Sequence, residues 1–209
     1  KENLVITNRG NITANNIVVA THYPIMNAPG YYFMKMHQER SYVIALENAD
    51  NVNGMYIDVE KNGCSFRNYK DLLLLGAIDQ RTGENEKGGC YDKLRKIAKD
   101  LYPNSKEKYH WSAQDCMTID KIPYIGKYSD KTPNIYVATG FNKWGMTSSM
   151  VSAMIISDMI LDKENDFSEI FSPKRFDLSL SIGNIANDMI ETAKNFIAQK
   201  IYIPSSKIE

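Results

Sequence analysis

Residues 134–160 of this 209-residue chain read NIYVATGFNKWGMTSSMVSAMIISDMI. An apolar, β-branched run is followed by a coil bracketed by Gly140 and Gly145, and then by a long stretch of small and apolar residues. That order specifies strand, tight coil and helix. Glycine permits close backbone approach, and Ser148, Ser149, Ser152, Ala153 and Ser157 let the helix pack tightly. A helix N-terminus presents unpaired N–H groups and partial positive charge, so this one suits an anionic or electron-rich ligand group. The same residues also make an ordinary strand-to-helix turn, and the GxGxxG fingerprint is absent.

A second segment echoes the first. NIVVATH at 16–22 repeats the pattern of NIYVATG at 134–140, two apolar strands ending in the same Ala-Thr pair. Ligands of parallel sheets bind outside the carboxyl ends of strands, so two such ends can edge one cofactor. Chance similarity between two buried strands is the alternative.

The rest of the chain supplies the scaffold. LVIT at 4–7 and ITA at 12–14 flank Asn8-Arg9-Gly10-Asn11 and predict a hairpin. The run 16–21 predicts a strand buried on both faces, ended by Pro24. One or two strands are expected between Tyr31 and Glu47, and further strands at Met55–Val59, Cys64–Tyr69 and Leu72–Ile78. Residues 80–90 read as an exposed polar loop. Leu94, Ile97, Ala98 and Leu101 at helical spacing predict a helix over 91–102, stopped by Pro103. A strand near 109–113, a loop at 115–133, a strand at 134–139 and a helix at 145–162 follow. An amphipathic helix is expected over 185–201, before a polar, linker-like end.

Composition excludes several classes. Lys+Arg and Asp+Glu are 25 each, so no excess positive charge favours a nucleic-acid backbone. The most apolar run, 150–161, is shorter than the roughly 20 residues a membrane span needs, and no signal segment opens the chain. Cys64, Cys90 and Cys116 are odd in number and widely spaced, with three histidines and no CxxC pair. They make neither a disulfide framework nor a metal site, and read as reduced thiols of a cytoplasmic protein. A pyridine-nucleotide disulfide reductase is excluded on the same ground.

Trp111, Asp120, Pro123 and Gly126 fall in the pattern W-x(8)-D-x-x-P-x-x-G, followed by a strand and then Gly140-Phe141-Asn142-Lys143-Trp144-Gly145. Together with the strand at 16–21 this resembles the flavoprotein oxidoreductases of the D-amino-acid oxidase superfamily, the glycine oxidase and sarcosine oxidase branch in particular. The resemblance covers most of residues 1–175 and is densest over 111–160. It implies an α+β fold, with a mostly antiparallel substrate-domain sheet packed against an incomplete FAD-domain layer that ends in a strand–loop–helix. The implied domains are 1–24 and 111–175 for FAD, 25–110 for substrate, and 176–209 as a helical tail. It also implies non-covalent FAD, since the position that carries a linking cysteine in some relatives aligns with Ala113, not Cys116. Hydride passes from the substrate carbon to flavin N5 in this family, leaving the protein to supply position and electrostatics.

By this resemblance the flavin N1/C2=O edge meets the helix start, and Gly140, Phe141, Lys143, Trp144, Gly145, Met146 and Thr147 bind the cofactor, with Thr21 and His22 on its other side. Lys143 adds positive charge or is merely solvated; Trp144 covers the ring or fills the loop. His22 is not assigned as a base. The carboxylate clamps of the family are missing, because Asp115 and Thr147 stand where relatives place an arginine or a lysine. The expected substrate is therefore a small amine or amino acid with a cationic reacting end, with Asp115 and Tyr42 as candidate contacts. The βαβ unit that holds the FAD pyrophosphate in the family is not found, so a fragment is expected, inactive alone and binding flavin weakly or not at all. Some bacterial relatives continue into a Rieske [2Fe–2S] domain, and a homo-oligomer would cover the apolar faces that a missing unit exposes. The competing reading is a non-catalytic module that uses the Gly140–Gly145 loop to hold an anionic ligand or a partner.

Overall fold

The computed structural model describes residues 2–26, 28–60, 63–83 and 88–175. These divide into two compact units, one from residues 2–37 with 115–175 and the other from 38–114. The expected helix over 185–201 and the centre of the polar loop, 84–87, lie outside the described residues. No helix among the described residues is long and apolar enough to cross a membrane.

The first unit opens with the expected hairpin, β1 (Asn3–Thr7) against β2 (Gly10–Ala14). The Thr7 hydroxyl accepts from the Arg9 amide at 3.1 Å and donates to the Gly10 carbonyl at 2.7 Å, which locks the reversal. Next comes β3 (Ile17–Val19), shorter than expected. The unit's main sheet has the order β3-β10-β9, from β9 (Tyr124–Lys127) and β10 (Ile135–Thr139). β3 runs parallel to β10 and β9 antiparallel to it. β3 is therefore an edge strand of this sheet, and Val18 is 46% exposed rather than buried on both faces. Helix α2 (Gly145–Ile160) lays Ile155 and Ile156 on Ile125, Tyr136 and Ala138. The opposite sheet face packs Val19 and Val137 with Tyr32, Met36, Cys116, Tyr124 and Tyr128.

The motif Asp120…Pro123…Gly126 has a structural explanation. Arg175, at the end of a 3-10 turn (Pro173–Arg175) after the short helix α3 (Ser168–Phe171), reaches back to it. Its Nε and Nη2 donate to the Asp120 carboxylate at 2.8 and 3.1 Å, and Nη1 donates to the Pro123 carbonyl at 3.0 Å. The guanidinium lies 4.2 Å from the centre of the Tyr124 ring. Gly126, at φ +137°, runs beneath Met159 and Pro173, where a Cβ would come within 3.3 Å of the methionine methyl.

The second unit holds a five-stranded sheet, ordered β5-β6-β7-β4-β8. It comprises β4 (Met36–Glu47), β5 (Met55–Ile57), β6 (Ser65–Tyr69), β7 (Leu72–Arg81) and β8 (Lys106–Thr118). The pairs β5·β6, β6·β7 and β7·β4 are antiparallel, as the turn-punctuated sequence predicts. Helix α1 (Cys90–Leu101) lays Tyr91, Leu94 and Ala98 against Ile44, Leu46, Leu73 and Leu75. Each fully buried leucine contributes on the order of 2 kcal/mol.

Several boundaries differ from the sequence expectation. Residues 32–34 form a 3-10 turn ahead of β4 instead of a strand. β7 runs on to Arg81, and β8 extends to Thr118, into the expected loop at 115–133, which also contains β9. At the end of β7, pairing of Gln80 with Arg40 and of Arg81 with Glu39 extends the strand through polar residues that carry no strand signal of their own.

Candidate cofactor site

The parallel register pairs Ile135 with Ile17, Tyr136 with Val18 and Val137 with Val19. The two echoing sequences thus lie side by side, each strand leading to its Ala-Thr end. The Thr139 hydroxyl donates to the His22 carbonyl and ties the two ends together. His22 sits at φ 64°, and its Nε2 accepts the Cys116 amide at 3.1 Å. That bond ties the imidazole to the strand that carries Cys116. Thr21 is exposed, its hydroxyl donating to the Tyr23 carbonyl at 2.7 Å.

Beyond Thr139 the chain turns sharply. Gly140 has φ +70°, and a Cβ there would meet the Thr118 methyl at 2.3 Å, so only glycine fits. Asn142 and Lys143 follow in the left-handed region at φ 48° and 70°. Phe141 turns inward against the core between α2 and the sheet. The Trp144 amide donates to the Phe141 carbonyl at 2.8 Å, and α2 begins at the next residue.

The first turn of α2 is open. Among the described residues no side chain caps it, and it carries no acidic residue. Trp144 and Met146 are 65% and 87% exposed, and Lys143, Gly145 and Thr147 are exposed as well. A Cβ built on Gly145 would meet nothing within 4 Å among the described residues. The amides of a first turn lack intrahelical acceptors and carry the positive end of the helix dipole. With no carboxylate of its own to neutralise it, the turn suits an anionic or electron-rich group.

The two predicted substrate contacts are less exposed than the residues of this turn. Asp115 is half-buried at the start of the first unit's share of β8, and its carboxylate forms no ion pair among the described residues. Tyr42 is 0% exposed in the second unit's core, edge-on to Tyr91, with its hydroxyl accepting from Gln80 at 2.8 Å. Sequence reasoning missed Asn142 and Thr118, which bind each other across the loop. The amide of Thr118 donates to Asn142 Oδ1 at 2.9 Å. Only the tolerance of asparagine for left-handed backbone hinted at this role.

Comparison with known proteins identifies the family and the fold. The model of the family described as FAD dependent oxidoreductase matches residues 2–159. A Bacillus subtilis (strain 168) protein, YhfW, which carries the name of a Rieske 2Fe-2S iron-sulfur protein, is 35% identical over 99% of this chain and 42% of its own length. Glycine oxidase from Geobacillus kaustophilus superposes with a TM-score of 0.68 at 20% identity, over 83% of this chain and 49% of that one. L-Proline dehydrogenase from P. horikoshii gives 0.68 at 19% identity, over 83% and 50%. The structural likenesses establish the fold, and the chain spans about half or less of each of these relatives.

A Rieske cluster needs two cysteines and two histidines. All three cysteines and all three histidines of this chain are among the described residues, and they do not fit it. Cys90 and Cys116 are buried, His22 is engaged by the Cys116 amide, and His110 by Glu107 at 2.8 Å. No three potential metal-ligating side chains converge among the described residues.

Proposed function

Because this chain belongs to the FAD-dependent oxidoreductase family, we propose that it is part of a flavoprotein that oxidises a small amine or amino acid. The observation that carries this reading is the open, uncapped first turn of α2 beside the paired ends of β3 and β10. When bound, FAD supplies the oxidation by accepting a hydride from the substrate carbon at N5.

The amides of Gly145, Met146 and Thr147 would hold the electron-rich edge of the ring, with Lys143 and Trp144 beside it and Gly140 and Phe141 shaping the loop. Thr21 and His22 would border the cofactor from the β3 end. Negative charge at that edge is favoured by the helix dipole. Binding would be non-covalent, a reading supported by the burial of Cys116, 2% exposed within the core cluster.

A strand–helix unit outside this chain would complete the site. Val18 pairs with Tyr136 and therefore lies on the α2 face of the sheet, exposed beside a strand edge with no neighbour among the described residues. A parallel strand added to β3, with its crossover helix over Val18, covers both. The chain alone would then hold flavin weakly and be inactive. The iron–sulfur group in the name of the B. subtilis relative would belong to a further domain.

The half-buried Asp115 carboxylate favours a substrate whose reacting end is cationic. Expression of the complete polypeptide, with a flavin absorbance spectrum and an amine screen for bleaching of the oxidised band, tests the function. Absence of flavin from that polypeptide would refute it. Asp115→Asn should raise KM for amines, and an unchanged KM would retire Asp115 as a substrate contact.

A further inference from the structure

The connection from β10 to α2 is held by one side chain. Asn142 Oδ1 accepts the Thr118 amide at 2.9 Å, and Nδ2 donates to the Gly140 carbonyl at 2.7 Å. The Asn142 amide donates to the Cys116 carbonyl at 3.2 Å. One carboxamide thus joins the end of β8 to the outgoing end of β10, and Thr118 also closes the space over Gly140. Asn142 and Lys143 both occupy left-handed backbone, which non-glycine residues adopt only when their surroundings hold them there. Beyond them α2 starts without a side-chain cap. Ile155 and Ile156 pack the body of the helix on the sheet, and the loop supports its first turn from the N-terminal side.

We propose that Asn142 is the positioning residue of this site. It fixes the direction and rigidity of the α2 first turn, so that the amides of 145–147 stand in one pose toward the cofactor. This rests on the reading that FAD meets that turn. Asn142 acts through the backbone it holds, by bonds that neither alanine nor glycine can make.

Asn142→Gly is the informative variant, because glycine accepts φ 48° without strain while the carboxamide is lost. Asn142→Asp keeps the acceptor for Thr118 and loses the donor to Gly140. Hydrogen–deuterium exchange on the full chain, without cofactor, reads the loop directly. The amides of Trp144 and Ser148, which donate to the Phe141 and Trp144 carbonyls, should exchange about tenfold faster in Asn142→Gly, with a smaller rise in Asn142→Asp. Unchanged exchange there would overturn the proposal, even if the thermal midpoint fell, and would leave Asn142 as a local stabiliser of β8. In the flavin-loaded complete polypeptide, Asn142→Gly should weaken FAD binding by about tenfold and shift the flavin potential to more negative values. Faster exchange with unchanged affinity and potential would support the loop-setting role and overturn the flavin placement on which it rests.

Discussion

Arg175 grips Asp120 across 55 residues of sequence, through two hydrogen bonds of 2.8 and 3.1 Å to its carboxylate. The Asp120 carboxylate also accepts the Ile122 amide at 3.1 Å. The pair gives the D-x-x-P-x-x-G motif a structural task, closing the segment between β8 and β9 over the Tyr124 ring. Arg175→Ala leaves the Asp120 carboxylate and the carbonyls of Ile122, Pro123 and Ser172 without their donor and should destabilise the chain by about 2 kcal/mol. Denaturant titration measures this, and a change below about 0.5 kcal/mol would show that the clasp is dispensable.

The same pair predicts a pH dependence. Burial pushes the Asp120 carboxyl up, but the Arg175 hydrogen bonds, the Ile122 amide and the guanidinium charge outweigh it and hold the group below its ordinary value. A depressed carboxyl stabilises the fold above its unfolded pKa, and that contribution is lost as pH falls through the folded one. Asp120→Asn should therefore be less stable than the parent at neutral pH, with the gap closing on acidification below about pH 4. A gap independent of pH would contradict the assignment.

Gly140 and Gly145 should respond oppositely to alanine. At Gly140 a Cβ strikes the Thr118 methyl at 2.3 Å and the backbone is left-handed, so Gly140→Ala should cost more than about 2 kcal/mol. At Gly145 the space is open, so Gly145→Ala should leave the thermal midpoint unchanged or slightly raised. If FAD meets that turn, the same methyl group should weaken flavin binding in the complete polypeptide, as a flavin titration would read.

The second unit has its own test. Leu94 is fully buried where α1 meets the sheet, and Leu94→Ala should cost about 3 kcal/mol by chemical denaturation. Tyr42→Phe removes only the hydroxyl that binds Gln80 and should cost about 1 kcal/mol.

The two helices show how far local pattern reaches. α1 was legible because Leu94, Ala98 and Leu101 repeat at helical spacing and Pro103 stops them, and the helix spans Cys90–Leu101. α2 was legible from its glycine start and its long apolar run. The paired Ala-Thr strand ends were legible as an echo, and the parallel register then placed them together. β9 was not: four residues without alternation became a strand only because β10 lies beside them.

From the sequence alone came the elements that carry their own period or punctuation, the family motif, and the candidate loop with its helix. Those signals lie within a few residues of one another, where backbone propensity and side-chain spacing act. Tertiary structure alone decided which polar groups meet across the chain. The Cys116 amide found His22 94 residues away, Thr118 found Asn142, and Arg175 found Asp120. A hydrogen bond between distant segments leaves no periodic trace, because its energy depends on where the fold brings two groups and not on what stands next to either of them.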